Sequence, residues 1–125
     1  MPSPRSLRAA AAVALVAVPA LAACGSSGSG VPVKVAAKDS SCEVAKTALT
    51  AGSYTFKVSN QGSQVTEVYV YGRKGGTFSK IVGEAENIGP GTSRDLTVKL
   101  AGGTYEVACK PGQKGDGIRQ RITVS

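Results

Sequence analysis

The sequence contains no histidine, and its single methionine is Met1. Without an imidazole base, neither a Ser-His-Asp nor a Cys-His nucleophile arrangement can form. The same absence excludes a tri-histidine zinc site and a type-1 copper site, because the latter needs two histidines, a cysteine and a weak axial ligand such as methionine. We therefore expect a protein that is not an enzyme, and any metal would have to be bound through sulfur and oxygen atoms.

The formal net charge of the chain is +7, and aromatic residues make up only 5% of it. The basic residues are scattered, and no stripe of aromatic side chains lies among them for stacking on bases. We therefore expect no nucleic-acid partner. Scattered charges are typical of the solvated faces of strands, and they allow a mild attraction to anionic lipid headgroups.

The amino-terminal segment has the pattern of an export signal. Arg5 and Arg8 precede an apolar stretch over residues 9–22, which is too short to span a bilayer. It ends in the sequence LAAC at residues 21–24, which resembles the lipobox of bacterial lipoproteins, where the cysteine receives diacylglycerol. We predict a signal peptide over residues 1–23, a lipid on Cys24, and anchoring at the extracytoplasmic face of the cell membrane. The alternative, an ordinary signal peptide, leaves a cysteine at this position unexplained.

The chain that follows the predicted signal divides into a short linker and one domain. Residues 24–32 include the sequence GSSGSG, a flexible tether with a mean reach of roughly 14 Å. Residues 33–125 form the predicted domain, and removal of the signal leaves 13 basic against 8 acidic residues.

Within that domain, apolar and polar residues alternate in short segments between turns rich in Gly, Asn and Pro. Candidate strands cover residues 33–38, 45–50, 54–58, 65–71, 96–100, 105–109 and 118–124, with a less regular segment over 78–88. No segment after the signal has a helical period. This pattern predicts an all-β fold, an antiparallel β-sandwich of about seven strands.

Two cysteines, Cys42 and Cys109, remain once Cys24 is assigned to the lipid. An oxidising compartment favours a disulfide, which would close a long loop and stabilise the domain by about 4 kcal/mol. Cys109 also ends the penultimate candidate strand, the position of the cysteine ligand in cupredoxins. The residues alone leave a disulfide and a metal site as alternatives.

Four segments resemble the cupredoxin-like domain of EfeO, the extracytoplasmic component of a bacterial ferrous-iron uptake system. They are Cys42-Glu43, Thr66-Glu67, residues 84–91 (EAENIGPG) and residues 105–109 (YEVAC). The family has proline where this chain has Val44 and tryptophan where it has Thr66, and full-length EfeO carries a further helical domain. The resemblance implies a cupredoxin-like Greek-key sandwich.

The resemblance also implies a site for copper or iron formed by Cys42, Glu67 and Cys109, with Glu84 and Glu86 as additional carboxylates. The expected function is metal binding in iron uptake or metal handling, with electron transfer if the metal changes oxidation state. A ferrous-iron permease or a haem peroxidase of an Efe-type system would be the partner. The alternative is a sandwich stapled by a disulfide between the two cysteines, acting as a structural or protein-interaction lipoprotein without metal.

Overall fold

The structure, a computed structural model, describes residues 30–125, which contain nine strands and no helix. The strands are β1 (Val31–Ala37), β2 (Cys42–Val44), β3 (Ala48–Leu49), β4 (Gly52–Asn60), β5 (Thr66–Lys74), β6 (Thr77–Ile88), β7 (Ser93–Leu100), β8 (Gly103–Pro111) and β9 (Ile118–Val124). The predicted signal peptide, Cys24 and the first residues of the linker lie outside the described residues. A search of the described residues found no helix of the length and hydropathy that a membrane crossing needs.

The strands form two sheets that pack face to face. One has the order β2-β1-β4-β7 and the other the order β3-β9-β8-β5-β6. Most neighbours are antiparallel, but β1 pairs with β4, and β3 with β9, in parallel. The all-β sandwich is thus confirmed. Two strand pairs depart from the expected antiparallel arrangement, and for β1 and β4 the reason is that a crossover through β2 and β3 joins them.

Two further details of the sequence prediction need correction. Of the candidate strand over 45–50, only Ala48–Leu49 is a strand, namely β3. The short strand β2 precedes that range, and the two strands pair with different sheets. The irregular segment over 78–88 is the longest strand, β6, whose pairing with β5 shifts register at three places. Those bulges displace the apolar residues from strict alternation, so the pattern looked irregular in the sequence.

The core lies between the sheets and consists of the inward-facing residues of both. Phe56, Ile88, Leu100 and Ile122 are its largest fully buried side chains. The two sheets approach closely at Gly83, where an added Cβ would lie 2.5 Å from Cγ1 of Val98. A larger residue at this position would force the neighbouring side chains to move.

The sandwich has two ends, and the candidate sites divide between them. The disulfide end carries Ala37, Asn60 and the loop over residues 112–117. The tether end carries Val31, the β5–β6 turn and the β7–β8 turn, and the predicted tether joins the domain there. β1 begins at Val31, two residues before the predicted start of the domain, and the amide of Gly30 already donates to Oγ1 of Thr55 at 3.2 Å.

Candidate functional site

Cys42 and Cys109 form a disulfide in the structure. Cys42 opens β2 and Cys109 lies near the end of β8, so the bond joins the two sheets at the disulfide end. Their Cα atoms are 5.5 Å apart, and the two residues are 6% and 0% exposed. Of the two alternatives left open by the sequence, the structure contains the disulfide.

The surroundings of the two sulfur atoms are apolar. Both cysteines belong to the main hydrophobic core, and Val68 and Ile118 lie beside Cys109 on the neighbouring strands. The turn after β8 closes over this position at Gly117, whose φ is +77° and where a Cβ would come within 2.8 Å of the carbonyl oxygen of Cys109. A glycine is therefore required at position 117 both for its backbone conformation and for the close approach.

The structure does not bring Glu67 to the cysteines. In the β5–β8 pairing, Val68 lies opposite Cys109 and Glu67 lies opposite Lys110. Residues directly opposite each other in a sheet point to the same face, and neighbours along a strand point to opposite faces. Glu67 is therefore on the outer face of the five-stranded sheet, while both sulfur atoms are inside.

Glu84 and Glu86 also lie on that outer face, because Glu84 pairs with Tyr69 across β5 and β6. The hydroxyl of Tyr69 donates a 2.7 Å hydrogen bond to Oε1 of Glu86. This bond, reinforced by burial, raises the pKa of the Tyr69 phenol well above its ordinary value. Burial likewise raises the pKa of Glu67; the Lys110 ammonium opposes the rise, and the Glu86 and Glu84 carboxylates add to it.

The metal that the cupredoxin fold implies does not fit these residues as a type-1 centre. Such a centre needs two histidines and a methionine or similar axial ligand beside the cysteine, and the chain has no histidine. Residues 30–125 also contain no cluster of three or more His, Cys, Asp or Glu side chains arranged to hold a metal ion. The predicted ligands thus form two separate groups, the cysteines inside and the carboxylates outside.

An aromatic and cationic cluster on the outer face was not predicted from the sequence. Tyr69 and Tyr71 stack with ring centroids 5.4 Å apart, and Nζ of Lys110 lies 4.2 Å from the Tyr69 ring. Lys110 also donates to the hydroxyl of Tyr71 at 2.7 Å, and Arg119 covers the Tyr71 ring at 4.4 Å. Ala108 belongs to the same buried cluster as the two rings. In the sequence, the alternation of Tyr69 and Tyr71 with valines could have indicated that the two rings share the outer face.

A second missed residue is Asn60, which is only 2% exposed. Its side-chain amide donates to the carbonyl oxygens of Gln64 and Ile88, both at 2.8 Å, and its oxygen accepts from the amide of Gly62 at 2.9 Å. In the sequence it resembled an ordinary turn residue before Gln61-Gly62. Its hydrogen bonds instead connect the β4–β5 loop to the end of β6 and hold the disulfide end together.

Comparisons with known proteins agree with this fold. The family model of the cupredoxin-like domain matches residues 9–124, whereas a search of curated proteins found no match. An auracyanin from Roseiflexus castenholzii is similar in structure, with a TM-score of 0.58 and 17% identity over 78% of this chain and 99% of that one. An azurin from Methylomonas sp. strain J has a TM-score of 0.55 and 11% identity, over 78% of this chain and 99% of the azurin. Auracyanin A from Chloroflexus aurantiacus, described as a "blue" copper protein, has a TM-score of 0.52 and 17% identity, over 76% of this chain and 100% of the auracyanin.

These structural likenesses show the fold alone, since their sequences differ from this one at more than four positions in five. The family model, by contrast, covers almost the whole domain, including both cysteines of the disulfide. This chain belongs to the cupredoxin-like domain family.

Proposed function

We propose that the chain is a membrane-anchored, extracytoplasmic cupredoxin-like domain that handles copper through Cys42 and Cys109 when these are reduced. One observation carries the proposal: the two sulfur atoms meet inside the sandwich at the end of β8, with 5.5 Å between the Cα atoms. Once reduced, two thiols this close can supply two sulfur ligands to one soft metal ion.

The separation of the two predicted ligand groups favours copper over iron. Thiolates select Cu(I), whereas carboxylates suit harder ions. In this structure the sulfur atoms are inside and Glu67, Glu84 and Glu86 are outside, so no carboxylate is available beside the thiols. The proposal therefore narrows the metal from copper or iron to Cu(I), bound by two sulfur ligands.

Binding would depend on the oxidation state of the cysteines. A dithiol reductant that breaks the disulfide transfers two electrons and two protons to the sulfur atoms and becomes a disulfide itself. The two thiols then lose their protons when they bind a metal ion, since the thiolate is the ligand. The oxidised form has no thiolate and is the form that the structure contains.

The pathway is proposed from the resemblance to EfeO, which implies delivery of metal at the cell surface beside a ferrous-iron permease or a haem peroxidase. The lipid on Cys24 would keep the domain within reach of such partners. Blue-copper electron transfer is not part of the proposal, because the ligands of a type-1 centre are missing.

A second function is supported by the disulfide itself: a stapled sandwich that serves as a structural or protein-interaction lipoprotein without metal. In that case the two cysteines only stabilise the fold, and a reduced pair would have no affinity for copper above that of isolated thiols. The same measurement separates the two functions.

The experiment uses the chain from residue 24 onward with Cys24→Ser, which cannot be acylated. After reduction with a phosphine, Cu(I) binding is measured by competition with a chromophoric chelator, with circular dichroism as a check on folding. We expect one Cu(I) per reduced chain, none per oxidised chain, and none in Cys42→Ser or Cys109→Ser. Glu67→Gln is the matched control and should bind as the parent does. A reduced, folded chain that leaves all Cu(I) on the chelator would overturn the proposal in favour of the stapled sandwich.

A further inference from the structure

A groove lies at the tether end of the sandwich, away from the disulfide. It has a volume of about 540 Å³ and is formed by both sheets, with Lys99 and the β7–β8 turn on one side and the β5–β6 strands on the other. Three of its lining residues are cations, namely Arg73, Lys80 and Lys99, and none is acidic. The groove is thus a basic opening at one end of the domain.

The cations at this end have no carboxylate partner among the described residues. The ion pairs within residues 30–125 use Lys38, Lys57, Arg119 and Arg121. Arg73, Lys80 and Lys99, together with Lys74 at the end of β5, are exposed and take no part in them. The guanidinium of Arg73 lies 5.2 Å from the centre of the Phe78 ring, which holds its position without neutralising its charge. Four unneutralised cations therefore share one end.

The same end presents apolar side chains to solvent. Large exposed apolar residues in the described chain are Val31, Val65 and Ile81, and two of these three are at the tether end. Ile81 is 53% exposed and lines the groove, and Val31 is 58% exposed at the start of β1. Apolar residues surrounded by Lys and Arg are typical of surfaces that insert shallowly among lipid headgroups.

Tyr105 forms part of the wall of the groove. The hydroxyl of Tyr105 donates a 2.8 Å hydrogen bond to the carbonyl oxygen of Ala101, which closes the β7–β8 turn. The ring of Tyr105 also lies beside Gly72, where a Cβ would be 3.6 Å from the ring. The cations of Arg73, Lys80 and Lys99 thus lie around a wall that includes this ring.

Because the predicted tether joins the domain at this end, the bilayer is the surface that we expect to contact it. Gly30, to which the tether joins, is packed against Ser53 and Tyr54 at this end. A tether of roughly 14 Å from a lipid on Cys24 keeps that end near the bilayer. An anionic bilayer surface attracts basic residues by about 1 kcal/mol each, within a Debye length of about 10 Å.

We propose that the tether end is a docking surface for anionic phospholipid headgroups, with phosphate groups in contact with Arg73, Lys80 and Lys99 and with Ile81 inserted among the headgroups. The domain then rests on the membrane by this end, and the disulfide end points away from the bilayer toward soluble partners. The orientation rests on the lipid anchor of the proposed function, whereas the affinity for headgroups does not.

The experiment measures co-sedimentation of the chain from residue 24 onward carrying Cys24→Ser, in the oxidised state, with vesicles. One set is phosphatidylcholine alone and the other is equal parts phosphatidylcholine and phosphatidylglycerol. We expect binding only to the anionic vesicles and its loss at high salt. Lys99→Gln and Lys80→Gln should each weaken the partition coefficient about fivefold, and Ile81→Ser should weaken it at constant charge.

The matched control is Lys114→Gln, which removes the same charge at the disulfide end and should leave binding unchanged. Equal loss in Lys114→Gln and Lys99→Gln would mean attraction by net charge alone and would overturn the proposal. Inorganic phosphate provides the second arm: shifts of the Gly102 and Gly103 amide resonances without vesicle binding would assign the groove to a free anion and overturn the lipid proposal. Because no copper is present, these outcomes do not depend on whether the cysteine pair binds metal.

Discussion

The two ends of the sandwich differ in how they are held together. At the disulfide end, the Cys42–Cys109 bond joins the two sheets, and the buried side chain of Asn60 makes three hydrogen bonds to the surrounding loops. At the tether end, the turns are short, rich in glycine and exposed, and the cations carry no ion pairs within residues 30–125. The disulfide end is thus stabilised by a cross-link and buried hydrogen bonds, whereas the tether end presents cations to solvent.

This difference separates the two proposals physically. Copper handling needs the sulfur atoms at one end, and lipid docking needs the cations at the other, so a substitution at either end should leave the other property intact. Loss of the disulfide tests that independence directly, and the other substitutions measure what stabilises the disulfide end, the region between the ends and the outer face.

The largest effect is expected from loss of the disulfide. Its two cysteines are 67 residues apart in sequence, so the cross-link removes considerable entropy from the unfolded chain. We expect Cys42→Ala with Cys109→Ala to lower the free energy of unfolding in urea by about 4 kcal/mol. Sedimentation with anionic vesicles, at a temperature where the variant is folded, should equal that of the parent. Weaker vesicle binding by the folded variant would show that the two ends are coupled.

The next effect is expected at Asn60. Asn60→Ala removes the hydrogen bonds from the buried Asn60 side chain to the carbonyl oxygens of Gln64 and Ile88. The two oxygens then lack this donor. We expect a loss of about 3 kcal/mol in the free energy of unfolding. Gln61→Ala, at the exposed neighbour, is the control and should cost less than about 0.5 kcal/mol. Equal effects of the two substitutions would contradict a stabilising role for the Asn60 side chain.

The fold was largely predictable, because strand alternation is strong wherever one face is buried. Val68 and Val70, or Leu96, Val98 and Leu100, alternate cleanly and are buried in the structure. The two parallel pairings were not predictable, since a pattern of period two is the same for parallel and antiparallel neighbours. The short strands β2 and β3 lacked enough residues to show any period.

The candidate site was predictable in part. The position of Cys109 at the end of a strand and its pairing with Cys42 could be read from the sequence, although the state of the sulfur atoms could not. The separation of Glu67 from Cys109 could have been predicted from the sequence. Val68 and Cys109 both belong to the buried faces of their strands, so Glu67, the neighbour of Val68, had to face outward. The groove at the tether end could not be foreseen, because Arg73 and Lys99 are brought together only by the packing of two sheets.

Gly83 lies between the two ends, where β6 approaches β7. An alanine Cβ at this position would lie 2.5 Å from Cγ1 of Val98 and 3.2 Å from Cδ1 of Leu96, so the sheets would have to separate locally. We expect Gly83→Ala to lower the free energy of unfolding by about 2 kcal/mol. Val98→Ala alone also costs stability because Val98 is buried, but the double variant Gly83→Ala with Val98→Ala should lose less than the sum of the two single losses in the same urea titration. Strictly additive losses would contradict the steric explanation.

The smallest effect is expected at Glu67, on the outer face. Burial raises the pKa of this carboxyl above its ordinary value of 4.5, with the carboxylates of Glu86 and Glu84 adding to the rise against Lys110. The folded state thus holds the proton more tightly than the unfolded state, so this group lowers stability as pH increases through the range above 4.5. Glu67→Gln should therefore gain stability relative to the parent between pH 4 and pH 7, by no more than about 0.5 kcal/mol because the site is near the surface. Urea titrations at the two pH values measure the gain, with Glu43→Gln, whose carboxylate pairs with Lys38 in solvent, as the control. If the relative stability of Glu67→Gln fell as pH increased, the folded state would stabilise the charged form of Glu67. That result would contradict the raised pKa of this carboxyl.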